Sequence, residues 1–442
     1  MNSTGHYDEM KDSGIQWIGI VPAHWNVRTL YQLVTRVNNK NSDLAEQNLL
    51  SLSYGKIKRK DINTNDGLLP ASFDGYNVIE SGDIVLRLTD LQNDRTSLRV
   101  GHATERGIIT SAYTTLRPIN SAHSRYLYYL IHAFDIKKGF YGMGSGVRQG
   151  LNYSEVKELR IAIPPQAEMN AIVAFLDDKC VKIDELIESV NTTIEEYKSW
   201  KMSLIFKATT MGNNSDAEMV KSTIPWIERH PSHWHTLPMK RVILSRDSGA
   251  WGNESNGDVN DKVCMRISDF AFEQGRFKES VDLFTVRNYN QSTIDKLSLK
   301  YGDILVEKSG GGEKTPVGRA VMFNLPIDAL FANFMDRLKI DSNIVTPEFF
   351  EYYWRGMYFR SVTSAYIKQT IGFQNLNLAG LLNSEFVLVP PKDEQCAIVS
   401  YLDDLGTQID TLVENKKNLL SELEIYKRSL IYEAVTGKRK VV

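Results

Sequence analysis

Four short stretches carry side chains suited to hydrogen-bonding nucleic-acid bases and phosphates. In Tyr54-Gly55-Lys56-Ile57-Lys58-Arg59-Lys60, the cations Lys56, Lys58, Arg59 and Lys60 stand beside an aromatic ring. A solvated turn is an equal reading of that run. Gly142 to Gln149 is a glycine-rich loop holding Ser145 and, side by side, Arg148 and Gln149. Arginine pairs with the guanine edge and glutamine with the adenine edge, while glycine lets backbone approach phosphate. Lys308, Ser309 and Lys314 lie in a second glycine run, Lys308 to Thr315, and Lys368, Gln369 and Gln374 lie in Lys368 to Asn375. Arg87 lies in the alternating run Asp83-Ile84-Val85-Leu86-Arg87-Leu88 and joins the candidates. Of these, Arg148, Gln149, Lys368 and Gln369 are the favoured base readers.

Other chemistries are not met. A phosphate-binding P-loop needs glycine directly before its lysine, and here Glu313 precedes Lys314. Gly142, Gly144 and Gly146 lack the spacing of a dinucleotide fingerprint. Amino-methyltransferases need a hydrogen-bonding residue before Pro-Pro-aromatic, but Ile163 and Val389 precede the two Pro-Pro pairs. No zinc-protease helix and no nucleophile elbow is present. Asp177-Asp178 and Asp403-Asp404 are neighbours that a helix points about 100° apart, so each pair reads as solvated charge or a partner contact. The chain is expected to hold no metal or catalytic residue of its own.

The elements that position the candidates are written twice. Trp17-Ile18 and Pro22-Ala23-His24-Trp25 return as Trp226-Ile227 and Pro231-Ser232-His233-Trp234, an offset of 209 residues. Ser81-Gly82-Asp83-Ile84-Val85 is echoed by Tyr301-Gly302-Asp303-Ile304-Leu305. Pro164-Pro165 and Ala171 to Asp178 return as Pro390-Pro391 and Ala397 to Asp404, now at an offset of 226. A period this long means duplicated domains rather than a solenoid. A shared frame with divergent middles suits two readers of two different things. The His-Trp motifs read as packing or docking elements.

A long helix is expected after each Pro-Pro pair. Leu176, Ile183, Val190, Tyr197 and Leu204 recur every seven residues, with Leu186 and Trp200 interleaved and Ile187 and Ile194 widening the stripe. In the second copy Leu402, Ile409, Leu423 and Leu430 recur, Lys416 breaks the row, and Leu405, Leu412, Leu419 and Tyr426 interleave. That is the pattern of a coiled-coil seam, and each helix is the natural partner of the other. Antiparallel pairing would put the two globular domains at opposite ends. Asp83 to Leu88 and Asp303 to Val306 read as strands, and Ser124 to Phe134 and Thr346 to Tyr358 as helices. The expected fold is therefore α+β: two pseudo-symmetric globular domains separated by two long helices forming an antiparallel coiled coil. Its parts are residues 1–160, a helix and linker at 161–212, a second domain at 213–389, and a closing helix at 390–442. The basic end Lys438-Arg439-Lys440 reads as a solvated tail.

Composition limits the classes further. The 442 residues carry 52 Lys and Arg against 54 Asp and Glu, a formal charge of −2, which excludes a globally basic coat protein but not a local basic face. From Arg28 to Arg160 there are 18 basic and 13 acidic residues, and from Lys240 to Val389 18 of each. Cys180, Cys264 and Cys396 are widely spaced, which fits a reducing compartment and no disulfide framework. No signal-like or membrane-spanning stretch is seen, so a cytoplasmic protein is expected.

Taken together, Trp17 to Trp25, Trp226 to Trp234, Gly144-Ser145-Gly146 with Gln149, and both Pro-Pro-to-helix segments resemble the specificity subunits of type I restriction–modification enzymes along essentially the whole chain. The resemblance implies two target recognition domains, each reading one half of a bipartite target on double-stranded DNA. It implies that the paired helices set the gap between half-sites. It also implies docking of two methyltransferase subunits for adenine methylation, and of restriction subunits that translocate and cut. S-adenosylmethionine, ATP and magnesium would sit on those partners, and no membrane is involved. A solitary methyltransferase or nuclease and a pure coiled-coil scaffold are the competing readings.

Overall fold

The computed structural model describes residues 5, 7–63, 70, 72–91, 96–143, 150–278, 284–370 and 372–441. It is α+β, as expected, and divides into two units: Met1–Ser189 with Leu419–Val442, and Val190–Asn418. Each unit thus holds one globular portion and a stretch of both long helices, Gln166–Met211 and Lys392–Val435.

In the first unit an antiparallel sheet runs in the order Val34–Arg36, Thr114–Pro118, Ile84–Leu86, Val100–His102. In the second unit the order is Ile243–Ser248, Met335–Ile340, Ile304–Glu307, Ala320–Met322, the same path through four strands. The strand after the shared Gly-Asp pair is fully buried in both, which is why it is apolar rather than alternating, except at Glu307, whose carboxylate accepts from Arg319 at 2.8 Å. The Gly-Asp pair is a turn with a purpose. Gly82 and Gly302 take φ of 94° and 88°, where a side chain would be strained. Asp83 then accepts from the Glu80 N–H at 2.8 Å and is gripped by Arg117 at 2.7 and 2.8 Å. Asp303 accepts from the Lys300 N–H at 2.9 Å and faces Arg337.

A 13-residue helix follows each sheet, Ser124–Ile136 and Pro347–Phe359, the latter capped by Thr346 accepting from the Phe349 N–H. The second helix carries a buried charge. Burial pushes the Glu351 carboxyl up to about 7 against the opposing pull of Arg355. A carboxyl whose folded pKa lies above its unfolded value binds more protons when folded, so its stability contribution falls as pH rises from about 4.5 to about 7. At pH 8 that loss is roughly 3 kcal/mol. Urea unfolding of Glu351→Gln should show a flatter pH profile than the parent between pH 5 and pH 8. Parallel profiles would refute the assignment.

The repeated Pro-x-His-Trp motif meets the helix that follows each Pro-Pro pair. His24 Nε2 lies 2.7 Å from Glu168 Oε2, and Glu168 also accepts from Trp25 Nε1 at 3.1 Å and from the Tyr7 hydroxyl. In the second unit His233 Nε2 lies 2.8 Å from Glu394 Oε2. Both glutamates are in the first turn of their helix, where carboxylates also meet the helix dipole. The end of the other long helix closes on the same motif: a Cβ on Gly437, at φ 69°, would lie 2.2 Å from Pro22 Cδ and 3.3 Å from the Trp25 ring. A Cβ on Gly212, at φ 73°, would likewise lie 3.2 Å from the Trp234 ring. Gly437→Ala combines a left-handed backbone with that clash, and should lower the urea midpoint by more than about 1 kcal/mol equivalent. An unchanged midpoint would contradict this.

Three expectations are revised. Leu186, Trp200, Leu412 and Tyr426 are 52, 48, 42 and 51% exposed, so the interleaved stripe does not close the seam. Positions four residues beyond several landmarks do: Cys180, Ile194, Lys201 and Val413 are buried. Residues three and four ahead flank the same face, and the side on which the partner lies selects between them. Among the landmarks, Leu176, Ile183, Val190, Leu402, Ile409 and Leu430 are buried, while Tyr197, Leu204 and Leu423 are half-buried. The Asp pairs are not simply solvated. Asp177 accepts from Tyr129 at 2.6 Å and Arg125 at 2.8 Å, and Asp403 from Tyr352 at 2.6 Å, tying each long helix to the 13-residue helix of its unit. The basic end is not loose either, since Lys438 donates to the Ile18 carbonyl at 2.6 Å and Arg439 pairs with Glu433.

Candidate nucleic-acid interface

In the second unit three short strands bring two separated candidate runs together. Ser309–Gly310 pairs with Phe373–Leu376, which pairs with Ile367–Thr370, all antiparallel. Ser309, Asn375 and Lys368 stand directly opposite one another, and opposite residues share a face. Ser309 Oγ lies 2.7 Å from Asn375 Oδ1. Phe373 shares that face two residues from Asn375 and is 65% exposed. The alternating burial of the central strand explains the arrangement: Gln374 and Leu376 turn inward, Phe373 and Asn375 outward. Gln374 is buried and its amide oxygen accepts from the Val317 N–H at 3.2 Å, a structural use that removes it from the open face. Gln369 is exposed.

Lys308 is half-buried and already engaged. Its ammonium lies 2.7 Å from Asp336 Oδ1 and 2.9 Å from Ser248 Oγ. Burial alone would raise the Asp336 carboxyl, but hydrogen bonds from Lys308, Ser248 and Arg246 outweigh it and hold it below the usual carboxylate range. Lys308 therefore anchors the strand that presents Ser309. The Lys308 and Ser309 N–H groups both donate to the Phe334 carbonyl. Beside them opens a cleft of about 480 Å³ lined by Trp251, Arg266, Asn333 and Phe334, with the Arg287 guanidinium 4.7 Å above the Trp251 ring. None of these cleft residues carried a recognisable signal in the sequence, because they come from separate loops. Lys314 is exposed and lines a different cleft, of about 710 Å³, with Lys198 and Arg319.

In the first unit the cationic run is a hairpin, Leu50–Ser53 with Lys56–Arg59, turning at Tyr54 and Gly55 with φ of 48° and 76°. Two successive positive φ angles suit the twist of a tight hairpin. The register puts Lys56 and Lys58 opposite Ser53 and Ser51 on one face, and Arg59 opposite Leu50 on the other. The four cations therefore divide. Lys58 and Lys60 are exposed, Lys56 is 3.8 Å from Asp184, and Arg59 is held by Glu105 with Nε 2.9 Å from Oε1. Arg87 is half-buried just past its strand. Ser145, Arg148 and Gln149 lie outside the described residues. The segments leading to that loop are organised by a residue the sequence did not single out. Arg99 is fully buried and donates to the carbonyls of Arg87, Thr89 and Asp90, and to the Tyr141 hydroxyl at 3.0 Å. Asp135 accepts from the Arg99 N–H at 2.5 Å.

Among the described residues no group of three His, Cys, Asp or Glu is placed to hold a metal ion, and no helix is long and apolar enough to cross a membrane. The chain thus presents a duplicated α+β frame with polar, cation-bearing strand faces and two long helices. Comparison with known proteins shows what this arrangement is similar to. No family model matches the chain. It is 23% identical over 306 residues to the type I restriction enzyme StySPI specificity subunit of Salmonella potsdam, covering 66% of this chain and 62% of that one. It is 24% identical over 455 residues to the putative type I restriction enzyme MjaX specificity subunit of Methanocaldococcus jannaschii, covering 96% of each. The chain thus spans less than two thirds of the Salmonella relative and nearly all of the archaeal one. A solved structure described as the basis of complex assembly and conformational transition of the type I R-M system shares the fold, with a TM-score of 0.67 at 16% identity over 94% of this chain and 98% of that one. The relatives found are type I restriction enzyme specificity subunits, the family that the sequence resembles.

Proposed function

We propose that this chain is the DNA-recognition subunit of a type I restriction–modification complex, each globular portion reading one half of a bipartite target. The observation that carries this most directly is the Ser309–Asn375–Lys368 row on paired strands, with Asn375 and Lys368 exposed, because a β-ribbon fits the major groove and asparagine can pair with the adenine edge. The Lys56–Lys58 face of the first-unit hairpin supplies the matching cationic surface. The two long helices pair antiparallel and fix the gap between half-sites, since half-site separation follows from protein geometry. Residues 1–160 and 213–389 are the recognition domains, 161–212 and 390–442 the spacers. Arg148, Gln149 and Ser145 read or approach DNA in the first half, with Arg87 in support, and Lys314 and Gln369 support the second. Two methyltransferase subunits dock on the repeated frame and bring S-adenosylmethionine; restriction subunits bring ATP and magnesium. The chain works in the cytoplasm, beside the DNA it reads.

The test is genome-wide adenine-methylation mapping in cells that express the chain with its cognate methyltransferase subunit. A two-part motif that vanishes when this chain is deleted is the expected result. A motif that survives deletion would end the proposal.

A further inference from the structure

We propose that two reciprocal lysine–aspartate pairs set the register of the paired long helices and, through it, the gap between the half-sites. The second clause rests on the function proposed above. In the second unit Lys201 Nζ lies 2.8 Å from both oxygens of Asp410. In the first unit Lys427 Nζ lies 2.6 Å from Asp184 Oδ1. The pairs are one contact written twice: Lys427 is the repeat counterpart of Lys201, and Asp410 that of Asp184, both at the offset of 226 that relates the two helices. The lysine of each helix meets the aspartate of the other, the reciprocity expected of a self-complementary interface.

Position makes the pairs informative. Lys201 continues the inward row of Ile187 and Ile194 at heptad spacing, and Lys427 lies fourteen residues after Val413 in the matching row. Lys201 is only 7% exposed. Aliphatic contacts are non-directional and tolerate a slip of one heptad, whereas a lysine at a seam position specifies register at some cost in stability. The helix opposite presents a small residue to it at van der Waals distance. A Cβ on Gly406, in the helix interior, would come within 3.5 Å of Lys201 Cε, and the counterpart of Gly406 is the small Cys180. Slipping by one heptad would displace one helix by about 10 Å, roughly three base-pair steps. In one direction that slip sets Lys201 against Lys417, a like charge.

The experiment uses the full chain with Cys396→Ser, because Cys396 is exposed while Cys180 and Cys264 are buried. Spin labels are placed at the exposed positions Ser203 and Gln408. The parent should give one narrow distance. The variant carrying Lys201→Met, Asp410→Leu, Lys427→Met and Asp184→Leu should give a second population displaced by about 10 Å. Exchanging the charges, with K201D, D410K, K427D and D184K, should restore the single distance. An apolar variant that keeps the single parental distance overturns the register clause. With cognate methyltransferase subunits, the apolar variant should methylate the same half-sites at an additional gap about three base pairs different. A register change with an unchanged gap overturns the second clause. A parent chain that directs no two-part methylation overturns the proposed function instead, and the register clause is then decided by the distances alone.

Discussion

Arg337→Met is expected to destabilise the second unit by about 3–5 kcal/mol, the loss typical when one partner of a buried ion pair is removed. Arg337 is 1% exposed. Its guanidinium donates to Asp247 at 2.8 Å and to the carbonyls of Ser298 and Lys296 at 2.9 and 2.8 Å, and faces Asp303 at 3.5 Å. Methionine fills much of the volume but leaves a buried carboxylate and two carbonyls without their donor. Burial already raises the Asp303 carboxyl above its usual value, so loss of the cation should favour its protonated form further. The variant should therefore recover stability as pH falls toward 5, which urea unfolding at pH 5 and pH 8 would reveal. A loss under about 1 kcal/mol at pH 8 would mean that water or a neighbouring cation replaces the guanidinium.

Lys368→Ala with Asn375→Ala should weaken binding to the target duplex by about 2 kcal/mol or more, some thirtyfold, if the row reads bases. Binding to a duplex with a scrambled second half-site should change far less. Both residues are exposed on adjoining strands, so neither truncation leaves a buried group unpaired and folding should be intact. Lys314→Ala serves as the contrast. A phosphate contact carries no sequence information, so its loss should weaken both duplexes alike and reduce the salt slope by about one. Fluorescence anisotropy across a salt series separates the cases. Equal losses on target and scrambled duplexes for the double variant would reassign Lys368 and Asn375 to the DNA backbone.

Much of the scaffold was legible because it is written in local chemistry and written twice. The two Gly-Asp turns announced strands, and the aromatic runs at Ser124 to Phe134 and Thr346 to Tyr358 became 13-residue helices. The seven-residue rows marked both long helices. The candidate site was legible only in part. Lys368 and Gln369 lie on an open strand, but Gln374, five residues past Gln369, is buried, because strand alternation and a bond to Val317 decide its direction. Lys308 and Arg59 looked like free cations in the sequence. Each is paired with a carboxylate 28 or 46 residues away in the chain, at a separation no local pattern encodes.

The sequence by itself determined the duplication, the two long helices and the strand-bearing middles. These follow from periodicity and repetition, which are properties of neighbouring residues. Tertiary structure decided which seam positions face inward, which Asp holds which Lys, and which cations remain available to a polyanion. Those outcomes depend on groups meeting within about 3 Å, and only the folded chain brings Asp336 to Lys308, Glu105 to Arg59 and Asp410 to Lys201.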